Sequence, residues 1–249
     1  MRKIAISISK GGTGKSTTSV NLAAGLAIKG AKVLLIDTDT QGQIANMLGI
    51  KSEKGLAEVI TKEATLVDAL IQARDNLWLL AGGRALAGVK SFIARKEFGG
   101  EKTLSEALSP LDNSFDYVIL DTSPGWDTLT INVLFYAEEV IVPVSLEIMS
   151  VQGLIEFSKS LAAIQKYHQN LEMRHVLPTF LDGRVKKCSE IFTQLKELYE
   201  DKLCAPIRYN VRLSEAPGYK QSIYEFAPTS TGAQDYKLLV ERIYKNERP

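Results

Sequence analysis

Short runs of apolar residues recur along the chain, and each run is followed by polar or charged residues. They occupy residues 4–8, 32–36, 77–80, 117–120 and 140–144. An unbroken apolar run of this length is typical of a strand that is buried on both faces of a parallel sheet. The pattern therefore predicts a buried parallel sheet whose strands end close to polar side chains.

Between these strands, apolar residues recur at spacings of three and four, as they do on one face of a helix. The predicted helices cover residues 18–29, 56–60, 66–71, 104–108, 150–166, 184–199 and 235–245, with Ser150 as an N-cap. The alternation predicts an α/β fold, a doubly wound and mostly parallel sheet of seven or eight strands with helices on both faces. Residues 50–110 are the least informative stretch, but nothing there resembles a linker or a repeat. We therefore expect residues 1–249 to form a single domain.

The turn between the first strand and the first helix is rich in glycine. Such a turn exposes backbone N–H groups and points a helix N-terminus at the same place, so both favour an anion. Lys15 can then reach the β- and γ-phosphates of a nucleotide, and the Ser16 hydroxyl can bind Mg²⁺. A chance glycine turn is the weaker alternative, because the flanking strand and helix also fit. The predicted nucleotide-binding residues of this loop are Lys10, Gly11, Gly12, Thr13, Gly14, Lys15, Ser16 and Thr17.

Lys10 distinguishes this loop from the common phosphate-binding motif. The pattern G-x-x-x-x-G-K-[ST] would have glycine where this chain has Ser9. The chain instead reads K-G-G-x-G-K-[ST], with a second lysine at the mouth of the loop. Lys10 is poorly placed for phosphates in its own loop and well placed for phosphates held by a facing subunit. We therefore expect Lys10 to act in catalysis across a dimer. Lys15 is the predicted catalytic lysine within the same subunit.

Acidic residues follow two of the predicted strands. Asp37 and Asp39 come directly after residues 32–36, and Asp121 ends the run that begins at Tyr117, in the Walker B pattern. Ligands of open α/β sheets bind at the carboxyl ends of the strands. We expect Asp121 to hold Mg²⁺ and Asp39 to support the metal or orient an attacking water. A simple N-cap or turn role stays open for both Asp37 and Asp39.

Composition narrows the function classes. Of the 249 residues, 45% are hydrophobic and 24% are charged, and the formal net charge is only +1. Any nucleic-acid site must therefore come from a local cluster of cations, because the overall charge does not favour one. Cys188 and Cys204 are isolated, and no apolar run approaches 18 residues. These features suggest neither a disulfide framework nor a zinc or iron–sulfur site, and they favour a cytosolic protein.

The order of the motifs resembles the ParA/MinD class of deviant-Walker ATPases. K-G-G-T-G-K-S, D-T-D-T-Q-G, V-I-L-D-T-S-P and V-I-V-P-V follow one another, and N-V-R-L-S-E-A-P at residues 210–217 narrows the resemblance to ParA-type, Soj-like partition ATPases. The resemblance implies an ATP- and Mg²⁺-dependent sandwich dimer that binds double-stranded DNA without sequence preference. It also implies a ParB-like partner that stimulates slow hydrolysis, and a cytoplasmic protein associated with the nucleoid. By the same resemblance, Lys10 crosses the dimer interface, Asp39 is needed for hydrolysis and Asp121 supports the metal.

Some positions depart from the family pattern. The family usually has D-x-D-P-Q-G-N where this chain has Thr40 and Gln43, and a second proline where it has Ser123. The proline that commonly lies by the base is absent before Tyr209 and Asn210. Phe180 and Asn210 remain the candidates for contact near the adenine base. The absence of an N-K-x-D motif favours ATP over GTP.

A second group of cations lies in the last third of the chain. Arg184, Lys186 and Lys187 open a predicted helix, where positive charge opposes the helix dipole. A phosphate backbone at that helix end would reverse the sign of the effect. The family resemblance adds Arg212 and also supports Arg184, so we predict a DNA-binding patch of these four residues. Solvated lysines remain the simpler explanation for Lys186 and Lys187.

The resemblance leaves related functions open. The loop starts so early that no N-terminal helix-turn-helix is expected, and only residues 246–249 follow the last predicted helix, which disfavours a membrane-binding tail of the MinD type. A MinD-like membrane-cycling ATPase and a ParA-like positioner of a cargo other than DNA are the alternatives. A metal-cluster carrier is disfavoured because no paired cysteines lie near Asp121. We expect a further basic group to form a solvated helix face, and its members are Arg84, Lys90, Arg95 and Lys96.

Overall fold

The computed structural model describes residues 1–111 and 113–245. The strands are β1 (Arg2–Ile6), β2 (Val33–Asp37), β3 (Leu70–Arg74), β4 (Leu77–Leu80), β5 (Tyr117–Asp121), β6 (Glu139–Ser145) and β7 (Glu172–Thr179). The α-helices are α1 (Lys15–Ile28), α2 (Gln43–Leu48), α3 (Leu56–Ile60), α4 (Leu66–Ala69), α5 (Leu86–Ala94), α6 (Thr103–Leu108), α7 (Thr128–Tyr136), α8 (Ile148–Gln165), α9 (Lys186–Tyr199), α10 (Val211–Glu215), α11 (Ile223–Phe226) and α12 (Thr231–Lys245). Short 3₁₀ helices cover Gly100–Lys102, Ser109–Leu111, Glu200–Lys202 and Ala216–Tyr219.

Within the described residues the strands form one seven-stranded sheet in the order β3-β4-β2-β5-β1-β6-β7. Every neighbouring pair is parallel except the β3–β4 hairpin. The central strands β2 and β5 are buried along their whole length, as their unbroken apolar runs predict. The predicted doubly wound and mostly parallel sheet is therefore confirmed.

The edges of the sheet are where the sequence pattern misleads. The predicted helix over residues 66–71 is wrong, because α4 stops at Ala69 and the chain turns into β3. Leu70 pairs with Leu80 of β4, so tertiary pairing overrides the local helical spacing. Strand β7 was not predicted from its sequence, since its first half carries Glu172 and Arg174 on an incompletely buried edge.

Two apolar layers pack on opposite faces of the sheet. Alternate residues of β5 enter different layers: Val118 and Leu120 join one, and Tyr117 and Ile119 join the other. Helices α1, α2 and α12 cover the second face, while α3 and α5 to α9 cover the first. Sequestering both faces of a parallel sheet in this way is the main source of its stability.

The topology brings the carboxyl ends of β1, β2 and β5 together. Ile6 of β1 and Asp37 of β2 are both in register with Asp121 of β5. The loops that leave these three strands therefore meet at one edge of the sheet. Helix α8 also begins near this edge, at Ile148, with Glu147 as its N-cap. The predicted N-cap at Ser150 is wrong, because that residue lies inside the first turn.

Candidate nucleotide-binding site

The glycine-rich loop has a backbone that glycine permits and other residues resist. Gly12 and Gly14 have φ values of +72° and +86°, in the left-handed region. Gly14 is also the N-cap of α1, so no side chain satisfies the first amides of that helix. Uncapped amides and the helix dipole at the same point suit a phosphate group.

Lys15 lies beneath this loop. Its side chain is buried, and Nζ donates to the backbone carbonyl of Lys10 over 2.8 Å. Burial lowers the pKa of Lys15, while the carboxylates of Asp121 and Asp39 act in the opposite direction. The ammonium group therefore faces the interior of the loop, where a phosphate oxygen could replace the carbonyl as its acceptor.

Asp121 is held between two serines of α1. Ser16 Oγ and Ser19 Oγ each donate to a different carboxylate oxygen over 2.7 Å. Burial raises the pKa of Asp121 to about 7, and the neighbouring Asp37 adds to the rise. A divalent cation would favour the charged carboxylate. Ser16 and Asp121 thus lie together as predicted for a Mg²⁺ site, and Ser19 is a partner that the motif did not indicate.

Asp37 and Asp39 have different surroundings. Asp37 is buried and accepts the backbone N–H groups of Asp39 and Ile44, and burial raises its pKa to about 6. It organises the turn after β2, in agreement with the N-cap or turn role that stayed open for it. Asp39 reaches the cavity described below, although one of its oxygens accepts the N–H of Gln41.

Gly82 fixes the position of the turn that carries Asp39. A Cβ at Gly82 would lie 2.6 Å from the carbonyl oxygen of Asp37 and 2.8 Å from that of Asp39. The next residue, Gly83, donates its backbone N–H to the carbonyl of Asp39 over 3.0 Å. The Gly82–Gly83 pair at the end of β4 was visible in the sequence, but the turn against which it packs was not.

Lys10 points away from its own phosphate loop. Its Nζ lies 3.0 Å from Oε2 of Glu147 and 2.7 Å from Oγ of Ser150, at the start of α8. Ser150 is in turn hydrogen-bonded to Ser145, the last residue of β6, over 2.6 Å. The prediction that Lys10 does not serve its own loop agrees with this geometry, but a reach across a dimer stays a prediction.

A cavity of about 540 Å³ opens above the loop. Phe180 forms part of its wall, with a φ of +57°, and packs beside Gly14. Asn210 is not among the residues of this wall. Its side chain caps α10 by accepting the N–H of Arg212, and it donates to Thr231. The cavity is lined by Gly11, Gly12, Gly14, Lys15, Ser16, Thr17, Asp39, Thr40, Gln41, Gln43, Lys90, Thr122, Ser123, Pro124 and Phe180.

Lys90 is one of the cavity residues that were not predicted as part of the site. The prediction of a solvated helix face is wrong for it, because Lys90 lines the cavity and its Nζ lies 2.5 Å from Asp127. In the sequence, the position of Lys90 among its neighbours does not distinguish it from an exposed lysine on a helix surface. Only the packing of α5 against α7 brings it to the nucleotide cavity.

The four predicted DNA-binding cations are all more than half exposed. The guanidinium of Arg184 donates two hydrogen bonds to Asp182 and its backbone N–H donates a third, and these contacts lower the pKa of Asp182 to about 2. Lys186 and Lys187 lie near Glu190, and Arg212 near Glu215. Helix α9 begins at Lys186, so Arg184 precedes the helix and does not lie in its first turn as predicted.

Arg184 and Arg212 extend from neighbouring segments. Leu181 forms a parallel bridge with Arg208, and the N–H of Tyr209 donates to the carbonyl of Leu181 over 2.9 Å. The two arginines follow that bridge by only a few residues on either chain segment. Their assignment to DNA stays a prediction.

The structure also limits other kinds of site. Within residues 1–111 and 113–245, no helix combines the length and apolar character that a membrane span requires. Nor does this part of the chain contain three or more His, Cys, Asp or Glu side chains grouped as metal ligands. A hydroxyl and one or two carboxylates suit Mg²⁺, which usually keeps several waters.

These features together define a P-loop nucleoside triphosphatase. They are the parallel sheet, the glycine-rich loop before α1, the buried lysine of that loop and the acid at the end of β5. A family model described as an AAA domain matches residues 1–173. The chromosome-partitioning ATPase Soj of Thermus thermophilus is 36% identical over 245 residues, which cover 98% of this chain and 95% of the relative. The sporulation initiation inhibitor protein Soj of Bacillus subtilis is 35% identical over 250 residues, 98% of each chain.

A solved structure agrees with the fold. Cobyrinic acid a,c-diamide synthase from Mycobacterium smegmatis, with bound ADP and magnesium, superposes with a TM-score of 0.84 at 29% identity, covering 100% of this chain and 97% of that chain. The chain therefore belongs to the Soj/ParA family of P-loop ATPases. The resemblance identified from the motifs is confirmed at the level of the family.

Proposed function

We propose that this protein hydrolyses ATP with Mg²⁺ to control a dimer that binds DNA and positions a cargo, such as a chromosome or a plasmid. The observation that carries the proposal is that two lysines of the same loop point to different places. Lys15 is buried beneath the phosphate loop, while Lys10 is directed to Glu147 and Ser150 at the start of α8. One lysine serves the loop, and the other is available to a second subunit.

The residues of the cavity fit ATP and Mg²⁺. The left-handed glycines leave backbone amides at the N-terminus of α1, and Lys15 supplies a cation for the phosphates. Ser16 and Asp121 already lie in hydrogen-bond contact, where both would hold Mg²⁺, the second through water. Bound Mg²⁺ would neutralise charge on the phosphate oxygens.

Hydrolysis needs a water molecule held in line with the bond that breaks. Asp39 is the carboxylate of the cavity wall that is suited to orient that water, since Asp37 is buried in its own turn. Asp121 accepts hydrogen bonds from the hydroxyls of Ser16 and Ser19, and we assign it to the Mg²⁺ site. We assign Asp39 to hydrolysis for this reason.

In the proposed dimer, Lys10 leaves Glu147 and Ser150 and contacts the nucleotide of the facing subunit. The Lys10–Glu147 ion pair is substantially exposed, so its loss costs little free energy. Phe180 remains the candidate for contact near the base. Asn210 is a weaker candidate, because its side chain is engaged as the N-cap of α10.

The proposed DNA surface consists of Arg184, Lys186, Lys187 and Arg212. Each is paired with a carboxylate close in sequence, and exposed pairs of this kind contribute little stability. DNA phosphates could therefore replace these carboxylates at small cost. A dimer would double the number of cations and make binding steeply dependent on salt. By family resemblance, a ParB-like partner would stimulate hydrolysis.

The test is DNA retardation with ATP, ADP or no nucleotide, with the mass of the same samples measured by light scattering. We expect a retarded complex and a doubled mass only with ATP or a non-hydrolysable analogue. An Arg184→Glu, Arg212→Glu variant should lose DNA binding and keep ATP binding. A mass that stays at one subunit with saturating Mg²⁺ and analogue would refute the dimer, and unchanged DNA affinity of the variant at low salt would refute the surface.

A further inference from the structure

Lys90 links helix α5 to the loop that follows Asp121. Its Nζ lies 2.5 Å from Oδ2 of Asp127, and the Ser123 hydroxyl donates to the same oxygen over 3.2 Å. The other oxygen of Asp127 accepts two backbone N–H groups in the first turn of α7, at 3.0 and 2.8 Å. One carboxylate thus joins a lysine of α5, a loop hydroxyl and the start of α7.

The loop between Asp121 and α7 forms one wall of the nucleotide cavity. Residues 122–124 line the cavity. The N–H of Gly125 donates to the carbonyl of Ser9 over 2.8 Å, directly before the phosphate loop. Gly125 has a φ of +101°, which favours glycine there. The loop is therefore tied to the phosphate loop on one side and to α5 on the other.

Lys90 could act on the nucleotide directly or through Asp127. The geometry favours the second role, because the ammonium group is already in a short contact with a carboxylate that is itself largely covered. Burial alone would raise the pKa of Asp127, but the hydrogen bond from Lys90 and the N–H of Thr130 lower the pKa overall. The backbone of Lys90 adds a second link, since its carbonyl accepts the Thr128 hydroxyl over 3.3 Å.

We propose, on the basis of ATP hydrolysis in this cavity, that Lys90 is a positioning residue that holds the loop of residues 122–127 against the nucleotide through Asp127. The loop contains the residues that directly follow the metal-site Asp121, so its position sets one wall around the reacting phosphate. Lys90 does not take part in binding ADP. It restricts the motion of the wall while water attacks.

A Lys90→Met variant keeps an unbranched side chain, shorter by one heavy atom, and removes the charge. We expect kcat for ATP to fall roughly tenfold to a hundredfold, the range that small misplacements in an active site cause. The affinity for ADP should stay within about twofold, as expected when an interaction acts in the transition state alone. Lys90→Arg, which can still reach Asp127, should restore most of the rate.

Trp126 makes the loop directly observable. It directly precedes Asp127 in the loop of residues 122–127, with its ring edge-on to Phe157 at 5.6 Å and partly exposed. The chain has two tryptophans, and the other is Trp78 of β4. In a Trp78→Phe background, quenching of Trp126 fluorescence by acrylamide reports exposure of the loop. We expect the quenching constant to rise at least about twofold in Lys90→Met and to return in Lys90→Arg.

Asp127→Asn provides an independent variant if Lys90→Met folds poorly. Asparagine is a good N-cap, so α7 keeps its cap while the charge partner is lost. Its effects on kcat and on quenching should match those of Lys90→Met, and the double variant should add nothing further. Lys96→Met is the matched control, because Lys96 pairs with Glu106 at 3.7 Å and lies outside this cavity.

The outcomes separate the possible roles. Loss of ADP affinity in Lys90→Met with unchanged Trp126 quenching would mean direct contact with the nucleotide and would overturn the proposal. An equal loss of rate in Lys96→Met, or no recovery in Lys90→Arg, would overturn it as well. If the parent protein does not hydrolyse ATP, the proposed function is refuted instead. The difference in Trp126 quenching between the variants can still be measured, because it requires no hydrolysis.

Discussion

The contact between Lys10 and Glu147 competes with dimer formation if Lys10 must reach a second subunit. Glu147→Gln removes the charge of this partner and leaves the hydrogen bond from Lys10 to Ser150 in place. The Lys10 side chain is 31% exposed and that of Glu147 is 71% exposed. An ion pair this exposed contributes only about 0.5 kcal/mol, in the middle of the measured range for such pairs.

If Lys10 crosses the dimer as proposed, each of the two subunits releases one such contact when the dimer closes. The combined gain in Glu147→Gln is then about 1 kcal/mol, which corresponds to a dissociation constant about fivefold lower. The effect should weaken in high salt, where the ion pair of the parent is already screened. Ser150 is a less suitable position, because its loss would also leave the buried Ser145 hydroxyl without this hydrogen bond.

Sedimentation velocity with Mg²⁺ and a non-hydrolysable ATP analogue measures this constant. Glu156→Gln, on the exposed side of the same helix α8, is the matched control and should not change it. Lys10→Ala should remain a monomer. If Glu147→Gln dimerises as the control does, the contact does not hold Lys10 back. If it dimerises more weakly, Glu147 stabilises the dimer instead of opposing its formation.

Further predictions concern the site and the fold. Lys15→Ala should abolish the rise in melting temperature that MgADP causes in the parent, because the phosphates lose their buried cation; a full rise would contradict its role. Asp39→Ala should accumulate an ATP-bound dimer with little phosphate release, which sizing and a phosphate assay can check; normal turnover would refute the assignment. Burial, with Arg242 nearby, lowers the pKa of His175 to about 4, while the unfolded chain has about 6.5. The unfolded state therefore takes up the proton first as pH falls, and stability should drop by about 3 kcal/mol from pH 6.5 to 4. Urea titrations of His175→Gln at these pH values should lack this decrease in the free energy of unfolding. An equal dependence of that free energy on pH in the two proteins would contradict the role of His175.

The sequence predicts the centre of the sheet better than its edges. Central strands such as β5 are buried on both faces, and their unbroken apolar runs are distinctive. Strand β3 begins within a helical spacing, and the first half of β7 is only partly buried, so neither shows a clear period. The pairing partners that stabilise these strands lie far away in the sequence or across a turn.

The same contrast holds for the site. Residues close in sequence, such as the phosphate loop, were predicted because one local motif contains all of their chemistry. Ser19 and Lys90 were not, since their roles depend on contacts to Asp121 and Asp127 that only the folded chain makes. The partners of Lys10 belong to this second group as well, because Glu147 and Ser150 lie far away in the sequence, at the start of α8.

The segment that runs beside β7 has a consequence for how copies of this chain can associate. Leu203 bridges Val176, and the N–H groups of Cys204 and Ile207 donate to the carbonyls of Val176 and Pro178. This irregular segment occupies hydrogen-bonding groups that an outermost strand would otherwise offer to a foreign strand. The edge strand on the opposite side of the sheet, β3, is short and carries Arg74, which forms an ion pair with Glu225. Both edges of the sheet are therefore poor templates for the addition of a strand from another copy of the chain.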